Sequence, residues 1–342
     1  MSKILVTGGT GYIGSHTVVE LQNAGYEVVI VDNLDNSSIK ILDQITKITG
    51  KKPEFYQLDL CEEAETIDFI SSNPDITGVI HFAAHKAVGE SVQKPLKYYR
   101  NNFLSLINLL TAFNGREVNF VFSSSCTVYG QPDQLPVTES APVKKAESPY
   151  GNTKQVSEEI LAEVSAANSN YHVISLRYFN PVGAHKSALI GELPIGVPQN
   201  LVPFITQSAI GKRGALTVYG NDYNTPDGSC IRDYIHVVDL AKAHIAALKR
   251  QESKSMTANY ELYNVGTGKG STVLEVVNAF ESNTGVKLDY TIGPRRGGDV
   301  EKVWGDVSKA EKELNWKAEL GLDEMMRSAW AWEKYINENP FS

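Results

Sequence analysis

Lys3-Ile4-Leu5-Val6-Thr7-Gly8-Gly9-Thr10-Gly11-Tyr12-Ile13-Gly14 decides the fold of this 342-residue chain. Residues 3–7 form a short apolar run suited to a strand buried on both faces. Glycines 8, 11 and 14 follow at once, spaced G-x-x-G-x-x-G, and residues 15–24 then read as a helix closed by Gly25. Such glycines let the backbone turn tightly and approach a pyrophosphate, which rests on the helix N-terminus. The spacing alone is a weak signal. The strand before it and the helix after it are the context that the motif demands.

The next strand, residues 27–31, ends at Asp32, 18 residues after Gly14. A carboxylate near that spacing accepts hydrogen bonds from a ribose and repels a 2′-phosphate, which favours NAD over NADP. No arginine follows in Asn33-Leu34-Asp35-Asn36-Ser37-Ser38 to reverse that preference. The bland alternative is an acid in a turn.

Strands are predicted near 3–7, 27–31, 54–58, 78–82, 118–122 and 172–177, alternating with helices, one of them over 96–114. That alternation predicts an α/β fold, a Rossmann-type doubly wound parallel sheet. Asp59 ends one strand and can face an adenine. Small residues after residue 82 let a cofactor lie against the backbone. Residues 181–230 are rich in Gly and Pro and read as loops and short elements over a pocket. Helices return at 237–250, 272–284, 308–314 and 322–337. A boundary near 180 predicts a dinucleotide-binding domain over 1–180 and a smaller α/β substrate domain over 181–342.

The chemistry concentrates in Ser123-Ser124-Ser125 and Tyr150-Gly151-Asn152-Thr153-Lys154. Tyr150 and Lys154 share a face if helical. A phenol has a free pKa of about 10 and is a poor base at neutral pH. A lysine ammonium one turn away, or a cationic nicotinamide nearby, favours the phenolate. Ser125 ends an apolar run at the strand's carboxyl end, where open α/β sheets bind ligands. Together these three side chains can move a proton on and off a substrate hydroxyl. Y-x-x-x-K by itself also fits a plain surface helix.

Composition sets limits. The net charge of −8 argues against nucleic acid as a general partner. Cys61, Cys126 and Cys230 are odd in number and scattered, which argues against a disulfide framework and a zinc site. No apolar run approaches the roughly 20 residues of a membrane helix. The start of the chain runs straight into a strand, without a secretory signal, so the cytoplasm is the expected compartment.

The glycine segment, the serine run and Tyr150-x-x-x-Lys154 resemble the extended short-chain dehydrogenase/reductase family. His85-Lys86-Ala87-Val88-Gly89-Glu90-Ser91-Val92, Arg177-Tyr178-Phe179-Asn180-Pro181-Val182-Gly183-Ala184, Tyr219-Gly220-Asn221-Asp222-Tyr223 and Arg232-Asp233-Tyr234-Ile235-His236-Val237 narrow the resemblance to UDP-glucose (UDP-galactose) 4-epimerases, from about residue 3 to 335. That resemblance implies NAD held throughout turnover, with Tyr150, Lys154 and Ser125 handling the proton of the sugar 4-hydroxyl. The C4 hydride leaves, the 4-keto sugar turns over, and the hydride returns to the other face. It also implies cofactor contacts at Gly8, Gly11, Tyr12, Ile13, Gly14, Asp32, Asn33, Asn36, Ser37, Asp59, Leu60, Phe82, Ala83, Lys86, Asn101 and Phe179, as well as at the three catalytic residues. Implied contacts to a UDP-hexose are Lys86, Ser125, Tyr150, Asn180, Asn200, Leu201, Thr217, Tyr219, Arg232, Arg296 and Asp299, with the two arginines clamping the diphosphate. The helices near 97–114 and 152–168 resemble those of the family's homodimer interface.

One position departs from the pattern. Val303 stands where galactose-restricted bacterial members carry a tyrosine, and members that accept N-acetylated sugars carry something smaller. The resemblance therefore implies use of UDP-GalNAc and UDP-GlcNAc as well. A sugar-nucleotide 4,6-dehydratase is the nearest rival, but its Asp–Glu pair after the serines is replaced by Cys126-Thr127. The same slot disfavours a related decarboxylase, and Asp32 opposes an NADPH reductase. A non-catalytic NAD-sensing protein has no reason to combine Tyr150, Lys154 and Ser125.

Overall fold

In a computed structural model describing residues 2–296 and 300–341, the chain begins as the sequence predicts, with β1 (Lys3–Thr7), α1 (Tyr12–Asn23) and β2 (Glu27–Asp32). It continues through α2 (Ile41–Thr49), β3 (Glu54–Gln57), α3 (Glu63–Ser72), β4 (Ile76–His81), α4 (Val88–Gln93) and α5 (Pro95–Ala112). Then come β5 (Val118–Ser125), a 3-10 turn (Cys126–Tyr129), α6 (Pro149–Ala167) and β6 (Tyr171–Tyr178). The second half comprises β7 (Asn180–Val182), α7 (Leu201–Ala209), β8 (Leu216–Tyr219), β9 (Ile231–Arg232), β10 (Tyr234–His236), α8 (Val237–Glu252) and β11 (Tyr260–Val265). It closes with β12 (Ser271–Thr272), α9 (Val273–Thr284), β13 (Tyr290–Gly293), β14 (Lys302–Val303), α10 (Ser308–Glu313) and α11 (Leu322–Glu338).

The main sheet has seven strands in the order β11-β6-β5-β4-β1-β2-β3, every pair parallel. Side chains alternate across it, as a two-residue period requires. Ile4, Val6, Ile30, Ile80, Val121 and Ile174 face the layer of α1, α2 and α8. Leu5, Val29, Val79, Phe120, Phe122 and Val173 face α3, α5 and α6. Strand order reverses between β1 and β4, and the carboxyl ends of those two strands open the crevice where such sheets take ligands.

All six predicted strands are present. The seventh, β11, comes from beyond residue 180 and pairs with β6 from Tyr260↔Val173 to Val265↔Tyr178. Its apolar pattern is broken by Glu261 and Asn264, both buried and satisfied by distant partners: Glu261 by Arg250, Asn264 by Tyr129. Helix α8 also returns across residue 180 to lie on α1. The other strands make small sheets, β10-β7, β12-β9-β14 and β13-β8, over a separate core that includes Val202, Ile205, Val276, Phe280 and Met326. The 181–230 stretch, expected as loops and short elements, contains α7 and β8. Among the described residues no helix is long and apolar enough to cross a membrane.

Candidate active site

The glycine loop is a cradle with no room for side chains. Gly8 has φ +68°, and a Cβ there would sit 2.9 Å from the Ala83 nitrogen. A Cβ on Gly14 would collide with the Gly8 carbonyl oxygen. Gly11 heads α1, and no side chain caps the helix, so its first N–H groups face the crevice with the favourable end of the helix dipole. These are the demands of a bound pyrophosphate.

Asp32, at the end of β2, accepts from Thr10 N (3.2 Å), Leu34 N (2.9 Å) and Ser37 Oγ (3.1 Å). Ser37 Oγ also bonds Thr10 Oγ1 at 2.7 Å. The acid is thereby knitted to the glycine loop, with Asn36 in the same turn. Asn33 donates to Asp59 at 3.3 Å, and Leu60 receives Asn108 at 2.9 Å. Phe82 and Ala83 follow β4 and donate their amides to Thr7, so the ends of β1 and β4 are held together. Ile13 packs against the core from the first turn of α1. Asn101 donates to Asn102 at 3.1 Å.

The Tyr12 hydroxyl donates to Gly183 O (2.6 Å), which links the glycine segment to the second half of the chain. Lys86 lies 5.8 Å from the Tyr12 ring centre and 3.3 Å from Glu192 Oε1. Asn200 donates to the same oxygen at 2.7 Å. Glu192 thus joins a predicted cofactor residue to a predicted substrate residue. Sequence reading passed over it, because an acid in a Gly/Pro-rich loop carries no pattern.

Ser148 caps α6 by accepting from Gly151 N, and Pro149 opens the helix. This sets Tyr150 in the first turn, with Lys154 one turn on. The Ser125 hydroxyl, at the end of β5, is close enough to the Tyr150 phenol to favour its ionised form. Ser125 Oγ also accepts from Thr127 N (3.2 Å) and Thr127 Oγ1 (3.0 Å). Lys154 is buried, donates to Ser123 O at 2.6 Å, and lies 6.0 Å from the Tyr150 ring centre. The predicted triad is therefore assembled at the carboxyl end of β5.

Its charges differ from expectation. Burial pushes the Tyr150 phenol up to about 12, and the Ser125 hydrogen bond only partly offsets this. Burial also brings Lys154 down to about 7. The help expected for the phenolate from Lys154 and a cationic nicotinamide therefore has to work against burial.

The residues expected to receive a substrate lie on short elements. Asn180 begins β7, its N–H bonded to Asp233 O at 2.9 Å, and Asn200 and Leu201 head α7. Thr217 and Tyr219 lie on β8, where Tyr219 pairs with Gly293 and carries Arg296 5.7 Å from its ring centre. Arg232 on β9 pairs with Val303 on β14. Val303 and Phe179 are buried together with Val128, Tyr129 and Val137, so Val303 contributes to an apolar wall. Asp299 lies outside the described residues.

Sequence reading also gave Asp233 no role, although it sits in the quoted Arg232-Asp233-Tyr234 signature. Fully buried, it accepts from Thr267 N (2.8 Å), Thr267 Oγ1 (2.7 Å), Gly268 N (3.2 Å) and Gly305 N (3.4 Å), bracing the loops behind Phe179. Among the described residues no three His, Cys, Asp or Glu side chains gather as metal ligands.

Comparison with known proteins agrees with this geometry. A family model described as GDP-mannose 4,6 dehydratase matches residues 5–329. A UDP-glucose 4-epimerase of Dictyostelium discoideum is 51% identical over 341 residues, covering 99% of this chain and 98% of that protein. A crystal structure of a UDP-glucose-4-epimerase from Stenotrophomonas maltophila, with bound NAD and formylated UDP-arabinopyranose, superposes with a TM-score of 0.95 at 46% identity, covering 99% of this chain and 100% of that one. The Bifidobacterium longum UDP-glucose 4-epimerase in complex with NAD+ and UDP gives a TM-score of 0.91 at 47% identity, over 99% of both chains.

Proposed function

The chain belongs to the UDP-glucose 4-epimerase family, and from that premise we propose how its own residues interconvert UDP-galactose and UDP-glucose. The observation that carries the reading is the buried Lys154, which donates to Ser123 O at the end of β5 and lies beneath Tyr150 one turn earlier on α6, with Ser125 alongside. When bound, NAD takes the C4 hydride and returns it, so there is no net redox change, and its oxidised ring adds a positive charge that lowers the phenol's pKa. Tyr150 takes the proton of the sugar 4-hydroxyl through Ser125 and later returns it. Lys154 keeps positive charge beneath that pair. The 4-keto sugar turns about its link to the diphosphate and presents its other face.

Gly8, Gly11, Tyr12, Ile13 and Gly14 hold the pyrophosphate. Asp32 and Ser37, with Asn33 and Asn36 beside them, hold the adenosine ribose. Asp59 and Leu60 flank the adenine, and Phe82, Ala83, Lys86, Asn101 and Phe179 line the rest of the crevice. Asn180, Asn200, Leu201, Thr217, Tyr219, Arg232, Arg296 and Asp299 receive the UDP-sugar. Val303 puts a valine where galactose-restricted relatives carry a tyrosine ring, which supports turnover of UDP-GalNAc and UDP-GlcNAc too. The same reading includes a homodimer through α5 and α6, and action in the cytoplasm.

A dehydratase lacks support, since its acid pair is absent at Cys126-Thr127. The test is incubation with UDP-galactose while products and nicotinamide absorbance are followed. UDP-glucose should form with no lasting absorbance change. Stoichiometric NADH, or a 4-keto-6-deoxy product, would overturn the assignment.

A further inference from the structure

Helix α6 also buries a carboxylate, Glu158, that the reaction, as described, does not use. Tyr150, Lys154 and Glu158 recur every four residues and share one face. Lys154 is 5% exposed and Glu158 7%, so neither charge is solvated. Glu158 accepts from the Ser124 hydroxyl, from Arg177 Nε at 2.9 Å and from Arg177 Nη2 at 2.5 Å. Arg177 in turn lies 4.7 Å from the Tyr129 ring centre, and the Tyr129 hydroxyl donates to Asn264 at 2.6 Å.

Stability does not account for this pair. Burying two charges is costly, and apolar replacements of a buried ion pair are often neutral or stabilising. Its position does account for it. Ser124 and Ser125 are neighbours on β5 and point to opposite faces, so clamping Ser124 to α6 fixes the direction of Ser125. We propose that Glu158 is a positioning residue for the proton step, acting through Lys154 and the end of β5, with Arg177 as its counter-ion. This rests on the epimerase reading above.

Lys154 is poised for such control. Burial holds it near 7, and Glu158 is the influence that opposes burial. The other titratable groups around this face are His81 of β4, Arg177 and Tyr178 of β6, Tyr260 of β11, Tyr98 of α5 and Tyr129 of the 3-10 turn. Removing the Glu158 charge lowers the Lys154 pKa, so the ammonium is lost at lower pH. The alkaline limb of the pH–kcat profile then moves toward acid.

The experiment compares wild type, Glu158→Gln and the double variant Glu158→Gln/Arg177→Met in the full chain. The double variant removes both charges together and guards against a misfolded single variant. Glu158→Gln should lose about tenfold in kcat near pH 8, the effect of one pKa unit, with KM for UDP-galactose little changed and the alkaline limb moved acidward; the double variant, which also loses the Arg177 cation, should keep a kcat loss through the freed Ser124 with a smaller move of the limb. Carbon-13 NMR of lysine-labelled protein, with Lys154 assigned by Lys154→Ala, should show its midpoint falling in Glu158→Gln and falling less in the double variant. A wild-type kcat in the double variant, or a folded Glu158→Gln with the wild-type limb and Lys154 midpoint, means that Glu158 only packs the helix, which overturns the proposal. The NMR midpoint reads the proposal even if UDP-galactose is not turned over, an outcome that would instead sink the epimerase reading.

Discussion

The nucleotide side and the sugar side of the crevice are built on different principles. The first hangs on the carboxyl ends of adjacent parallel strands, and its residues are tied to one another: Thr10 to Asp32, Ser37 to both, Ala83 to Thr7. The second hangs on two- and three-stranded sheets, with Tyr219 at 45% exposure and Arg296 resting on its ring. The cradle is preorganised before any ligand arrives, whereas the second side presents exposed side chains that a bound ligand would bury. This division suits an enzyme that retains its cofactor and lets a sugar turn over within one site.

Breaking the seam between the two sides has the largest expected effect. Tyr150→Phe removes one oxygen, should leave NAD binding largely intact, and should cost about 10²–10⁴-fold in kcat. A loss under about tenfold would remove Tyr150 from the base role. Damage to the preorganised side should appear as lost cofactor. Gly14→Val forces side-chain atoms into the Gly8 carbonyl, and overpacking of about 1–3 kcal/mol should weaken NAD roughly 10–100-fold. Calorimetry with unchanged NAD affinity would show that the loop yields. Asp32→Ala should loosen NAD about tenfold and narrow the preference over NADP, through loss of a charge-assisted acceptor. Equal wild-type affinity for the two cofactors would sink that role.

How far each side was legible in the sequence follows the same division. The glycine loop, Asp32 and the Tyr150–Lys154 pair obey fixed spacings, because strand and helix geometry dictate them. Glu192, Asp233 and β11 were missed because partners such as Lys86, Thr267 and Gly305, and Tyr129 lie far away in the chain. The residues of the sugar side came from family resemblance alone, since two-residue strands leave no periodicity to read.

Smaller effects sharpen the contrast. Val303→Tyr should suppress UDP-GalNAc turnover far more than UDP-galactose turnover, because the larger ligand meets the added ring. Wild type inactive on UDP-GalNAc at saturation would refute dual use. Stability should depend on pH through buried histidines: burial holds His16 and His81 near 3 and His236 and His244 near 4. These folded values lie below the unfolded value of about 6.5. Their contribution is therefore complete above about pH 6.5 and is lost as pH falls toward 4. Melting temperature should drop over that window, and a flat profile would contradict it.

The return of β11 across the boundary has a consequence during synthesis. Strand β6 ends at Tyr178 and its partner ends at Val265. At about 5–20 residues per second, a ribosome takes roughly 4–17 s to make the stretch between them. For that interval the nascent sheet carries an uncapped edge, Tyr171-His172-Val173-Ile174-Ser175-Leu176-Arg177-Tyr178, rich in β-branched and aromatic residues. Bare edges of this kind recruit other strands. Chains released before residue 260 should accumulate in aggregates, while chains reaching residue 265 and beyond should not, and arrest at defined codons followed by sedimentation would reveal the threshold.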